Sequence, residues 1–378
     1  MRVLSYSLTA CKLMSTLLYT NGEGLTYTPN NDVTQHSKIA LDTLDITTLI
    51  GSGNVTEALN IYQNGKNREG KSLQAMAQKN WVDAGLENLE DYEAYAALFF
   101  QRDGNPFLDN YNLDAMNCNN SFNGQSSDMC AISAKKNLLC TGLLYAQYEG
   151  VSALQYGNEK NWDELFAFWN GVYDETVDSR VNSGGPGAVQ KKRDSDFGTS
   201  FRESSLQAII DSQQAFSGGF KKLMKHSKRP ISQALPKPQL IKYSAQFEDQ
   251  GLDQEAKLDG KWAEGYTYFR CGAGMMEPEL ALYIDYELDP RDKLGVELKP
   301  RDTVCKIINK MLALPEIGLG LQLEDLNIEN YLPTIKADCG IDNFNHVAGG
   351  SYSNSESERT FIPVLGFLLV LTIIRRWV

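Results

Sequence analysis

The chain has 378 residues, with 36 lysines and arginines against 48 aspartates and glutamates, a formal net charge of −12. Nucleic-acid affinity rests on clustered basic side chains, so this balance excludes a phosphate-backbone reader; three histidines, His36, His226 and His346, are too few for an imidazole-rich metal site or a zinc-finger module. At 42% hydrophobic and 22% charged, the chain is long enough to bury one large core or two modest ones.

Residues 1–28 carry Arg2 and then an apolar stretch interrupted by Lys12, a weak form of secretory signal that gains support from the other end of the chain and from the cysteines. Apolar residues three and four apart run through Val33 to Leu49, Thr56 to Gly65, Leu73 to Gln78 and Leu206 to Phe216, which predicts helices there. Gly, Pro, Asn and Ser cluster into expected loops at Asn105 to Asn110, Asn117 to Asp128, Asn182 to Gly187 and Arg229 to Pro238. Period-two alternation is rare. Its best example, Leu280 to Leu288, has an Ala, Leu and Glu content that fits a helix as well, so the chain is expected to be mainly α. The basic run from Lys221 to Arg229 leads into Pro230 without interleaved aromatics and reads as a solvated loop or helix end.

At the C-terminus, Phe361 to Ile374 is an uncharged apolar run closed by Arg375-Arg376-Trp377-Val378. As a helix it would reach roughly 21 Å against a hydrocarbon core of about 30 Å, so it would span only a thinned bilayer with help from the arginine stems. The small polar residues before it, Gly349 to Glu358, also fit the layout of a lipid-anchor signal whose tail is removed. Either way membrane attachment is expected. The map is then 1–28 signal peptide, 29–345 helical ectodomain, 346–360 Ser-rich linker and 361–378 anchor. Setting Cys11 aside with the leader, Cys118, Cys130, Cys140, Cys271, Cys305 and Cys339 remain. That is an even number with no Cys-x-x-Cys pair, which predicts disulfides of an exported protein with the pairing open. Asn54-Val55-Thr56 and Asn119-Asn120-Ser121 are glycosylation sequons consistent with export.

One string recurs. Asn161-Trp162-Asp163-Glu164-Leu165-Phe166-Ala167-Phe168-Trp169 returns as Lys261-Trp262-Ala263-Glu264-Gly265-Tyr266-Thr267-Tyr268-Phe269, offset by 100 positions. Upstream, Ala146-Gln147-Tyr148-Glu149 returns as Ala245-Gln246-Phe247-Glu248, offset by 99. Two matched motifs in one order predict two related helical units, facing across a pseudo-twofold axis or stacked in sequence. On helices, Trp162, Phe166 and Trp169 share a face, as do Trp262, Tyr266 and Phe269, and these faces are predicted core. The other faces carry Glu164 with Phe168 and Glu264 with Tyr268, while Glu149 has Tyr145 four residues before it. If the four helices converge, the shared space holds up to four carboxylates, Glu149, Glu164, Glu248 and Glu264, and two phenols, and Tyr145, Glu149, Glu248, Glu264 and Tyr268 are the expected metal ligands. Buried carboxylates need a cation or arginines, and where phenols join them ferric iron is the obvious hard, oxygen-preferring candidate. The alternative places these glutamates on wet helix faces in surface salt bridges.

The chain also resembles the algal iron-assimilation family, the low-iron-inducible periplasmic proteins whose domain recurs in phytotransferrins. The resemblance runs through Asp32-Val33-Thr34, Ile61 to Asn67, Trp162 to Phe168 (family W/V-D-E-A-x-A-F-Y), Lys192 to Thr199 (K-R-x-x-N-F-G-T, with Asp196 for Asn) and Glu264 to Arg270 (E-G-x-A-F-W-R, with Tyr268-Phe269 for Phe-Trp). Order and spacing agree from about residue 32 to 335. The resemblance implies a cell-surface or periplasmic protein that captures ferric iron, with carbonate, and is membrane-anchored and internalised, working beside a ferric reductase or endocytic machinery. A carbonate would need a guanidinium or a helix N-terminus, for which Arg270 is the first choice and Arg202 the second. Two other classes stand beside this reading. One is an enzyme using a carboxylate pair, such as a glycoside hydrolase, although no Gly-x-Ser-x-Gly, His-Glu-x-x-His or phosphate loop is present. The other is a non-catalytic helical adhesion module whose repeat is only architectural.

Overall fold

The structure is a computed structural model that describes residues 25–87, 89–181, 183–213 and 253–292, all within a single unit of the fold. Every regular element among them is helical, as the periodicity predicts. The first helices are α1 Thr34–Ser37, α2 Ile39–Gly51, α3 Val55–Asn64 and α4 Leu73–Ala77. The side chains of Asn54 and Ser72 cap α3 and α4 by accepting from the backbone N–H of Glu57 and Ala75, and Gly65, at φ 74°, ends α3 where a Cβ would be strained. Then come α5 Glu90–Asp103, α6 Phe107–Asn117, α7 Ser127–Tyr156, α8 Glu159–Asn170, α9 Pro186–Phe197 and α10 Phe201–Asp211, followed by α11 Asp253–Gly272 and α12 Pro278–Leu288.

Helix α7 organises the rest. Its 30 residues extend about 45 Å and carry buried side chains around the whole circumference, so it must be covered on several sides. Helices α6, α8 and α11 pack against it. The predicted aromatic core faces are buried: Trp162, Phe166 and Trp169 on α8, and Trp262, Tyr266 and Phe269 on α11. The Trp162 indole N–H donates to the Ile209 carbonyl of α10 at 3.1 Å, and that of Trp262 to the Leu288 carbonyl at the end of α12.

Two disulfides form. Cys118–Cys130 ties the turn after α6 to the first turn of α7, and Cys140–Cys271 ties the middle of α7 to the end of α11, with Cα atoms 4.7 Å apart. The second closes a sequence separation of 131 residues, a restriction of the unfolded chain on the order of 4–5 kcal/mol in the chain-entropy model.

Three expectations shift. The loop predicted at Asn105 to Asn110 yields to α6 from Phe107 onward, because Phe107 and Tyr111 are buried on one side of that helix. The helix expected from Leu206 starts at Phe201, because the Asp194 carboxylate accepts the backbone N–H groups of Phe201 and Arg202 at 2.9 and 2.7 Å and so caps α10. Tyr27, placed by sequence in the leader, belongs to the packed domain: its ring lies 4.5 Å from that of Phe166 and its hydroxyl donates to Asp163 Oδ1 at 2.5 Å. Residues 1–24, Glu248, Cys305, Cys339, the 346–360 linker and the 361–378 apolar run lie outside the described residues. No described helix is long and apolar enough to cross a membrane.

Candidate metal-binding site

The loop between α3 and α4 is pinned at its start. Asn67 donates through its backbone N–H and its Nδ2 to Asp42 Oδ1, both at 2.8 Å, while Lys66 and Arg180 pair with Asp45 at 2.9 Å. The rest of the loop then lies over α7 and α8. The Arg68 guanidinium stands 5.3 Å from the Phe168 ring centre. Lys71 Nζ stands 4.6 Å from that of Tyr145 and donates to the Tyr145 hydroxyl. From α7 come Tyr145 and, one turn on, Glu149, whose Oε2 accepts from Asn161 Nδ2 at 2.7 Å. From α8 comes Glu164, 3.3 Å from His36 Nε2 of α1 and 3.6 Å from Lys160. The Phe168 ring forms an apolar floor, edge to face with Tyr145 at 4.9 Å and with His36 at 5.6 Å. Tyr145 is shared with a cleft lined by Lys79, Trp81, Tyr92 and Phe107.

Electrostatics set the protonation states. Burial, reinforced by the neighbouring Glu164, pushes Glu149 up to about 7 despite the opposing pull of Asn161 and Lys71. Burial with Arg68, Lys160 and Lys71 nearby pulls His36 down to about 4. His36 is therefore neutral at pH 7. If its Nε2–H faces Glu164, its Nδ1 carries a lone pair, and that buried atom has no hydrogen-bond partner. Burial raises the Tyr145 phenol and Glu164 as well, and lowers Arg68. Arg68 Nε and Nη1 are likewise buried without a hydrogen-bond partner. Buried donors of this kind are open to an acceptor, and Arg270 presents three of them.

Glu149 gives a pH prediction. Its raised pKa means that the native state holds the proton more tightly than the unfolded chain does, so its burial costs little below pH 4.5 and most above about 7. His36 works the other way: its depressed pKa costs stability as pH falls from 6.5 toward 4. Glu149→Gln removes only the first effect. Urea unfolding is expected to show the variant more stable than wild type by roughly 1–3 kcal/mol at pH 8 and indistinguishable at pH 4.

Glu264 and Tyr268 are held elsewhere. Both face Lys136 of α7, whose Nζ lies 3.0 Å from Glu264 Oε1 and 3.0 Å from the Tyr268 hydroxyl. Burial works against the Lys136 charge, but Tyr268 and Glu264 outweigh it and raise its pKa. Lys136 precedes Tyr145 by nine residues, about 13 Å and half a revolution around α7. The described members of the expected cage therefore form two clusters, and each is balanced by a lysine of the chain itself. Among the described residues no three His, Cys, Asp or Glu side chains gather closely enough to hold a metal ion on their own.

Arg270, expected to hold an anion, is 2% exposed, with Nη1 2.9 Å from Asp103 Oδ2, the rings of Phe99 and Tyr111 each 4.0 Å from its guanidinium carbon, and its three guanidinium nitrogens without a hydrogen-bond partner. Arg291 and Arg102 join it around Asp103, Asp285 and Asp289, and the two added arginines hold Asp289 at about 2 against its burial. Arg202 donates through Nη2 to Asn170 Oδ1 at 3.2 Å, at a helix start that the Asp194 carboxylate already fills. Asn54 and Asn119 are exposed, as sequons require.

A sequence profile of the low iron-inducible periplasmic proteins matches residues 3–213. The chain belongs to that family. Membership carries an iron-related role and a periplasmic or extracellular setting. No curated protein and no solved structure matches the chain. The matched span contains His36, Arg68, Lys71, Tyr145, Glu149 and Glu164, whereas Glu264, Tyr268 and Arg270 fall beyond it.

Sequence reasoning set Glu164 aside and missed His36, Arg68 and Lys71. The one available signal was the charge density of the loop that follows Ile61 to Asn67, where Lys66, Arg68 and Lys71 crowd between two helices.

Proposed function

We propose that this protein is a non-enzymatic ferric-iron carrier of an uptake system at the cell surface or in the periplasmic space, binding Fe(III) through Tyr145, Glu149 and Glu164, with His36 beside them. Arg68 would hold a small oxyanion such as carbonate. The observation that carries this reading is the Arg68 guanidinium, whose buried Nε and Nη1 have no hydrogen-bond partner, beside a phenol and two carboxylates of raised pKa. A ferric ion entering with a carbonate dianion adds one positive charge, and loss of the Tyr145 proton cancels it. Only a strong Lewis acid draws that proton at neutral pH, since burial holds the phenol up. Lys71 must leave the Tyr145 oxygen for this to happen.

The remaining features fit such a carrier. Two related helical units would be built on α8 and α11. The 361–378 run would tether the domain to a membrane, with glycans on Asn54 and Asn119 and a ferric reductase or endocytic machinery as partners. The test is titration of the purified protein with ferric nitrilotriacetate, with and without bicarbonate. A saturable phenolate-to-iron band in the visible, stronger with bicarbonate, is expected. Absence of the band, with no iron retained on elemental analysis, sinks the proposal.

One observation favours a second reading. A carboxyl held at about 7 beside a second one suits a general acid and its partner in a glycoside hydrolase. Turnover of a sugar panel by metal-stripped protein would establish it.

A further inference from the structure

Two places in the fold share one construction. In the first, Tyr145 and Glu149 stand four residues apart on α7, and the Lys71 ammonium is seated on the phenol, 4.6 Å from the ring centre. In the second, Glu264 and Tyr268 stand four residues apart on α11. There the Lys136 ammonium is seated on both, 3.0 Å from each oxygen and 5.1 Å from the ring centre. A phenol and a carboxylate at i and i+4 share one helix face, and in each place a lysine from another element supplies the positive charge. The second group lies in the recurrence of the Trp162 string, at the positions of Glu164 and Phe168. The two indoles are fixed alike, each donating to a carbonyl near the end of a later helix.

We propose that Tyr268 and Glu264 form a second position for a hard, oxygen-preferring cation such as ferric iron, with Lys136 holding the place that the cation takes. Tyr268 is 1% exposed and Glu264 and Lys136 are partly exposed, so the phenol is shielded from water while the carboxylate and ammonium can reach it. Only one carboxylate and one phenol belong to this group among the described residues, against two carboxylates, a phenol and an imidazole around Tyr145. The remaining coordination must come with the ion, as water or a small chelating anion, and the second position is the weaker. This inference rests on the carrier reading above, and it predicts a capacity of two rather than one.

The experiment is titration of the full chain with ferric nitrilotriacetate, read by visible absorbance and by iron per protein after gel filtration. Wild type is expected to take up two equivalents, the second at least tenfold more weakly. Tyr268→Phe should remove the second phase and leave the first. Lys136→Met, which keeps the length of the side chain but not its charge, should tighten the second phase at least tenfold. A single equivalent in both wild type and Lys136→Met overturns the proposal, as does a second phase indifferent to Tyr268→Phe, which is what adventitious surface iron would give. Failure of the carrier reading has a different signature: the tight phase is missing, or is present but unmoved by Tyr145→Phe.

Discussion

Tyr145→Phe is expected to abolish the tight visible band and to weaken ferric binding at least a thousandfold, about 4 kcal/mol. The substitution removes one oxygen and little else. The phenyl ring keeps its edge-to-face contact with Phe168 at 4.9 Å and its contact with Tyr148 at 5.2 Å, so the floor of the site persists. What disappears is the one phenol of this cluster, whose deprotonation gives the arriving trivalent ion a phenolate ligand. Glu149 and Glu164 remain in the variant, but a carboxylate gives no phenolate-to-iron band and cannot replace the lost oxygen of Tyr145. Lys71 also loses the oxygen it donates to and stays beside Arg68. Repulsion from the two cations then adds to the loss. A band and an affinity unchanged in the variant would move the iron away from α7 altogether. Circular dichroism and urea unfolding close to wild type would show that the loss belongs to the site and not to the fold.

The parts of this arrangement that repeat every three to four residues were legible in the sequence. Trp162, Phe166 and Trp169 are buried as their spacing requires, and the pairing of Tyr145 with Glu149 on one face of a helix follows from a separation of four. Periodicity does not say what lies opposite that face. Glu264 and Tyr268 share a face as expected, but the face meets Lys136, far from Tyr145 around the same long helix. The expectation that buried acids would require a guest cation assumed that no lysine could reach them. Lys71 and Lys136 do, from positions 74 residues before Tyr145 and 132 before Tyr268 in the chain. Arg68 illustrates the same limit, because a loop residue has no period to reveal which helix it covers. His36 was counted as one of too few histidines, yet its burial against Glu164 and Phe168 sets its chemistry more than its number does.

Arg270→Met is expected to do the opposite of Tyr145→Phe, with stability lost and iron binding kept. Arg270 lies between the rings of Phe99 and Tyr111 and pairs with Asp103, which is itself only 1% exposed. Methionine fills much of the slot between the rings but leaves one oxygen of Asp103 without its cation, and only Arg291 remains to balance that carboxylate. Removing one member of a buried ion pair in this way costs about 3–5 kcal/mol, which urea unfolding would record as a large drop in midpoint. Asp103→Asn in the same background should recover part of the loss, because the uncompensated charge is then gone and the two effects are not additive. The network joins α5 to α11 and the segment after α12 and contributes nothing to the cluster around Tyr145, so the tight ferric phase and its response to bicarbonate should match wild type in whatever fraction folds. If bicarbonate dependence vanished while stability held, Arg270 would regain the role of anion holder, and the guanidinium of Arg68 would lose it.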